Sequence, residues 1–108
     1  MRLLAAFVAT TLTSVIVAAP AATDPDTDFG NELHTYGIYG QRDHNAWIGK
    51  TTCERLQRGI DKDVYASATF VGSNLAHGAT TGQAWQFLAA ALGTYCPDQL
   101  RRFDVATQ

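Results

Sequence analysis

The sequence predicts an all-α fold: a small bundle of about four short helices, with one disulfide between helix 2 and the end of helix 4. Three observations carry that expectation. Beyond residue 28, apolar residues recur at three- and four-residue steps, the period of helices buried on one side. The strict alternation of a half-buried strand is absent. Finally, an export-type leader precedes two cysteines, Cys53 and Cys96, and a chain with two cysteines allows only one intramolecular pairing.

The leader occupies residues 1–22. Arg2 supplies the positive start, Leu3 to Ala19 form an apolar stretch broken only by Thr and Ser, and Ala18-Ala19-Pro20-Ala21-Ala22 offers small residues for cleavage. That order is the secretory pattern, with cleavage expected after Ala21 or a residue or two later. A membrane anchor is the competing reading. The run is a little short for the ~20 apolar residues of a comfortable span, and a proline follows it. Export is therefore the expectation, with no stable membrane insertion once the leader is removed.

Residues 23–28 are polar with alternating acids and a proline, and read as a disordered lead-in to a helix capped by Asp26 or Thr27. Phe29, Leu33 and Tyr36 give the first helix its apolar stripe, and Gly37 ends it. Ile38-Tyr39-Gly40 is a bend whose two large side chains are expected to tuck onto the core. The second helix should start near Gln41 to Asp43 and reach Arg58. Its inner side is read as Trp47, Ile48, Thr51, Thr52 and Leu56, with Cys53 among them, and Gly59 lies just past its end.

Asp61 is expected to cap a third helix carrying Val64, Ala68, Val71 and Leu75, ended by His77-Gly78. Residues 67–71 are partly β-branched, which leaves a strand conceivable there. Thr80-Thr81-Gly82-Gln83 matches a capping box, with a hydroxyl at the cap and Gln three residues on. Ala84, Phe87, Leu88, Ala91, Leu92 and Tyr95 then form one stripe, closed by Cys96-Pro97. The helical domain thus spans residues 29–100. Residues 101–108 read as a polar tail, in which Phe103 can join Leu100 to add one more turn.

Pairing Cys53 with Cys96 would clamp the two best-defined amphipathic elements together. The loop-entropy treatment gives about 4 kcal/mol for closing that loop. A redox pair favours nearby cysteines, and a zinc site wants about four ligands at short spacing; neither pattern is present. The staple suits the size of the domain, because a mature chain of about 85 residues has a modest hydrophobic margin. With a formal net charge of −2, the chain lacks the basic face that nucleic acid favours, and nucleic acid is not an expected partner. A monomer is the expected state.

The order of these signals resembles a known family. Asp28-Phe29, then Tyr36-Gly37-Ile38, a helix reaching Cys53, and Thr80/Thr81 opening a helix that ends Tyr95-Cys96-Pro97 are similar to the mycobacterial small secreted proteins of domain-of-unknown-function family 732. The resemblance covers roughly residues 28–100. It implies a mostly helical, disulfide-closed exported domain with no assigned catalysis, and it carries over no active-site residues. Gly30 and Asn31 depart from the alanine or leucine of relatives and should weaken the first helix.

Chemistry-bearing patterns are sparse. Ser67 and Ser73 fall within a helix without a strand-turn-helix elbow, and no Gly-rich phosphate loop or HExxH helix occurs. The expectation is a non-enzymatic domain, without catalytic residues, metal or cofactor, that binds a protein or cell-envelope partner. The alternative is a carrier of haem or another apolar ligand. His34, Tyr36, Tyr39 and His44 crowd around the bend between helices 1 and 2, and His or Tyr can serve as an axial ligand. The favoured reading of the same residues is plainer, core aromatics and surface histidines, because aromatics at helical spacing are usually core. Trp85, offset from the buried stripe of helix 4, is a candidate anchor for a protein partner if exposed.

Overall fold

The computed structural model describes residues 24–106, and the expected leader lies outside them. Its elements are α1 (Pro25–Thr35), α2 (Arg42–Gln57), α3 (Val64–Asn74), α4 (Thr81–Tyr95), a 3-10 turn (Pro97–Gln99) and α5 (Leu100–Ala106). No strand occurs among the described residues, so the 67–71 stretch is helical. The four anticipated helices are joined by a fifth, short one. None of the described helices is long and apolar enough to cross a membrane.

The centre of the bundle is α4, which packs against α1, α2, α3 and α5. Its sequence explains that position. Ala84, Phe87, Leu88, Ala90, Ala91 and Leu92 are all buried, an apolar band wide enough to serve several neighbours. One cluster joins Phe87 and Ala91 to Phe29 and Leu33 of α1, Ile48 of α2 and Val71 of α3. A second joins Leu88 and Leu92 to Leu56, Val64 and the two cysteines, with Leu100 and Phe103 packed against it. Each fully buried Leu or Phe contributes roughly 1.5–3 kcal/mol by removal from water. The terminal segment is thereby held by apolar contacts and is a helix rather than a polar tail.

Four local expectations are corrected. α1 begins at Pro25, so the helix takes in residues that read as a disordered lead-in; Asp24 occupies the cap position without a side-chain bond to the helix N–H groups, and neither Asp26 nor Thr27 caps. Proline suits the first helical position, where its missing N–H has no partner to lose. The cap of α3 is Asp63, which accepts from the Ala66 N–H at 2.9 Å; Asp61 is buried and does other work. Trp47 is not on the inner side of α2 but is 52% exposed. The buried face of α2 consists of Asn45, Ala46, Ile48, Gly49, Thr52, Cys53 and Leu56. Of the two bend side chains, Ile38 is buried, whereas Tyr39 points outward and is 67% exposed.

The capping box at α4 is complete. Thr80 Oγ1 accepts from the Gln83 N–H at 3.0 Å, and Gln83 Oε1 accepts from the Thr80 N–H at 2.9 Å. Cys53 and Cys96 are bonded, with Cα atoms 5.9 Å apart across a sequence separation of 43 residues.

Candidate functional site

The two ends of α4 meet different surroundings. At the C-terminal end, Cys96 is bonded to α2, and Tyr95 reaches α1: its hydroxyl donates to Asp26 Oδ1 at 2.8 Å. Lys50 of α2 donates to the other Asp26 oxygen at 3.1 Å, and its ammonium lies 5.6 Å from the centre of the Tyr95 ring. The Tyr95 hydroxyl bond, with Lys50 beside it, holds the Asp26 carboxyl below its usual range. Burial, together with the bond to Asp26, pushes the Tyr95 phenol upward. Both shifts favour a neutral phenol donating to a charged carboxylate.

Gly49 makes this packing possible. A Cβ at Gly49 would stand 2.9 Å from Tyr95 Cε2 and 3.1 Å from Phe29 Cε2. The Phe29 ring meets Phe87 and Tyr95 edge-on, with centroids 5.1 and 5.2 Å apart. In the adjoining α2–α3 connection, Arg55 grips buried Asp61 through Nε at 3.1 Å and Nη2 at 2.8 Å. Ser67 donates to the same carboxylate at 3.0 Å. The Arg55 guanidinium also lies over the Phe70 ring, 4.4 Å from its centre. The bond to Asp61 raises the Arg55 pKa further, so the guanidinium stays charged. Ser67 is thus committed as a hydrogen-bond donor to a structural ion pair.

At the N-terminal end of α4 the arrangement is open. Gln83 Nε2 donates to the Tyr36 carbonyl at 3.2 Å, so the capping-box glutamine also fixes the bend after α1. Gly37 turns the chain there in the left-handed region, φ 75°, where a side chain would be strained. Between this bend and the α3–α4 loop lies a cavity of about 450 Å³. Tyr39 and His44 line it, with Ile38, Asn45, Leu75 and His77. No carboxylate, ammonium or guanidinium is among its lining groups.

The four bend residues proposed from sequence are therefore divided. Tyr39 and His44 line the cavity. His34 is exposed and its ring packs 5.1 Å from that of Tyr39, while Tyr36 is half-buried against the core cluster. His44 stacks on exposed Trp47 at 6.0 Å. Trp85 is half-buried between Tyr65 and Phe103, in edge contacts at 5.2 and 5.7 Å. The exposed ring on that face is Tyr65. Sequence reasoning did not select Asn45, Leu75 or His77 as lining residues. Asn45 and Leu75 read as ordinary helix positions, and only folding brings the 75–79 loop beside the 37–40 bend. Among the described residues no group of three or more His, Cys, Asp or Glu is placed to hold a metal ion.

Fold and staple together define a small, helical, disulfide-closed domain with one tied and one open end. The chain belongs to the protein family of unknown function DUF732, whose family model matches residues 25–98. Two uncharacterised proteins of Mycobacterium tuberculosis, from strains CDC 1551 and H37Rv, are each 53% identical to it over 98 residues. Those alignments cover 90% of this chain and 88% of each relative. No solved structure matches the chain.

Proposed function

We propose that this protein is an exported, non-enzymatic domain that acts by binding a protein or cell-envelope partner through the open end of the bundle. The observation that carries the reading is the contrast in how polar groups are used. The ionisable groups with shifted protonation, Asp26, Tyr95 and Arg55, are spent on bonds within the fold. At the open end, Tyr39 and Trp47 instead present aromatic surface beside a cavity. Exposed aromatics next to a concave surface are typical anchors in recognition. The leader and the disulfide favour an oxidising destination.

The reading is tested by replacing single residues with a photo-crosslinking amino acid in cells that secrete the protein. Position 39 should give a discrete adduct, and position 101, exposed on α5 beyond the opposite end of α4, should not. Adducts of equal yield from both positions, or none from position 39, would remove the open end as the contact surface.

A second reading, carriage of haem or a similar apolar ligand, is favoured by Tyr39 and His44 lining the same cavity with His77. It requires a stoichiometric Soret shift on haem titration that is lost with His44→Ala or Tyr39→Ala. A weak, non-saturating absorbance change that survives both substitutions would exclude it.

A further inference from the structure

Asn45 stands out among the residues lining the open cavity. The residue is only 6% exposed, and its side-chain amide, which makes no hydrogen bond to any described residue, keeps contact with solvent at the cavity it lines. An amide with no protein partner at the wall of a cavity keeps two donors and an acceptor free for a ligand there. The neighbouring polar side chains are already committed: Asn74 donates to the Phe70 carbonyl at 2.8 Å, and Gln83 holds both the cap and the bend. The Asn45 amide sits against Gly40, where a Cβ would lie 3.5 Å from Nδ2.

A second feature adjoins it. α2 starts without a side-chain cap, and its first ladder bond runs from the Asn45 N–H to the Gln41 carbonyl at 3.0 Å. The N–H groups of Arg42, Asp43 and His44 therefore have no acceptor within the helix. Gly40, His44 and Asn45 line the cavity, which brings the His44 side of this first turn to its wall. A helix start of this kind favours a negative charge.

We propose that the cavity binds a small apolar monocarboxylic acid. One carboxylate oxygen accepts from Asn45 Nδ2 and the other from the free N–H groups of the α2 first turn. The apolar portion lies against Ile38, Leu75 and Tyr39, which share the remaining wall with Asn74, His77 and Gln83. A single negative charge fits better than a phosphate dianion, because no Lys or Arg lines the cavity. Arg42 is engaged by Asp24 at 2.8 Å and by Asp43 at 3.0 Å, which also holds the Asp43 carboxylate in an ion pair at the surface. This proposal rests on the reading of the open end as a binding surface and names the chemistry it accepts.

The test is a heteronuclear NMR titration of the oxidised, exported chain with hexanoate, and in parallel with hexanamide as a neutral match. Hexanoate should cause saturable shifts of the Asn45 side-chain NH₂ and of the Arg42–His44 backbone amides. It should bind about ten-fold or more tightly than hexanamide, as expected when a charge-assisted bond replaces a neutral one. Asn45→Ala should lower the hexanoate affinity about ten-fold, with the resonances of 88–96 unmoved as a check on the fold. Should that variant fail to fold, the Asn45 NH₂ shift in the unsubstituted chain decides the matter. Equal binding of hexanoate and hexanamide would overturn the carboxylate assignment and leave the open-end binding surface intact. No saturable shift with hexanoate would overturn the proposal, while the crosslinking result at position 39 decides the broader reading independently.

Discussion

At its C-terminal end α4 is tied to α2 by a disulfide and to α1 by the Tyr95–Asp26 bond, with Gly49 letting the rings close over the joint. At its N-terminal end, Gln83 holds the bend by its backbone, and the side chains around it leave a cavity. One helix thus carries both the clamp and the wall of an opening. The difference teaches how a small domain with a modest core can present a concave surface. Covalent and polar ties gathered at one end stabilise the whole bundle, and the other end need not be closed to keep it folded.

The largest effect should come from breaking the clamp. Cys53→Ala and Cys96→Ala are each expected to lower stability by about 2–5 kcal/mol, and the double variant to add little, because the pair acts as one unit. Denaturant unfolding of the three variants measures this. Single effects that differ widely and sum in the double variant would show two independent thiol sites. Gly49→Ala comes next, at about 1–3 kcal/mol of overpacking, since its methyl would meet Tyr95 at 2.9 Å.

Tyr95→Phe should cost about 1–2 kcal/mol through the lost bond to a charged acceptor. Its pH dependence sharpens the comparison. Asp26 is more acidic in the folded chain than its reference value of 3.8. The stability it contributes is therefore present above that value and is lost as the pH falls through the lower, folded value. Removing the Tyr95 hydroxyl, the main cause of the depression, should flatten this acid loss. An unchanged acid limb of the unfolding curve would mean that the bond does not act on stability.

Substitutions away from the clamp should be mild, and one should help. Gly30, in the middle of α1, has room for a side chain: a Cβ there would be 3.9 Å from Arg42 Cγ, an ordinary contact. Gly30→Ala should stabilise by about 0.5–1 kcal/mol, opposite in sign to Gly49→Ala. At the open end, His34→Ala and His44→Ala should each change stability by less than about 0.5 kcal/mol, as exposed sites usually do. Thermal unfolding of these variants places both ends of the bundle on one scale.

The helices and the staple were legible because their signals are local or unique. The α4 stripe is continuous, Thr80 and Gln83 sit at capping-box spacing, and two cysteines allow one pairing. Side-chain size misled where packing was tight. Trp47 looked like the natural core residue of α2, but the face against Phe29 and Tyr95 needed Gly49. Asp61 and Asp63 stand two residues apart and look equally suited to a cap. Only the fold assigns one to Arg55 and the other to the Ala66 N–H. Tyr95 and Asp26 are 69 residues apart, a distance over which no spacing rule operates. The cavity was half legible: Tyr39 and His44 came from the crowding of polar aromatics at the bend, whereas Asn45, Leu75 and His77 join them only through tertiary contact.

Amide hydrogen exchange of the oxidised protein tests the central contrast most directly. The account predicts that amides of 53–57 and 88–96 exchange only on global unfolding, while those of 37–41 and 75–80 exchange through local opening of much lower free energy. Protection at the bend and the α3–α4 loop equal to that around Cys53 and Cys96 would contradict it.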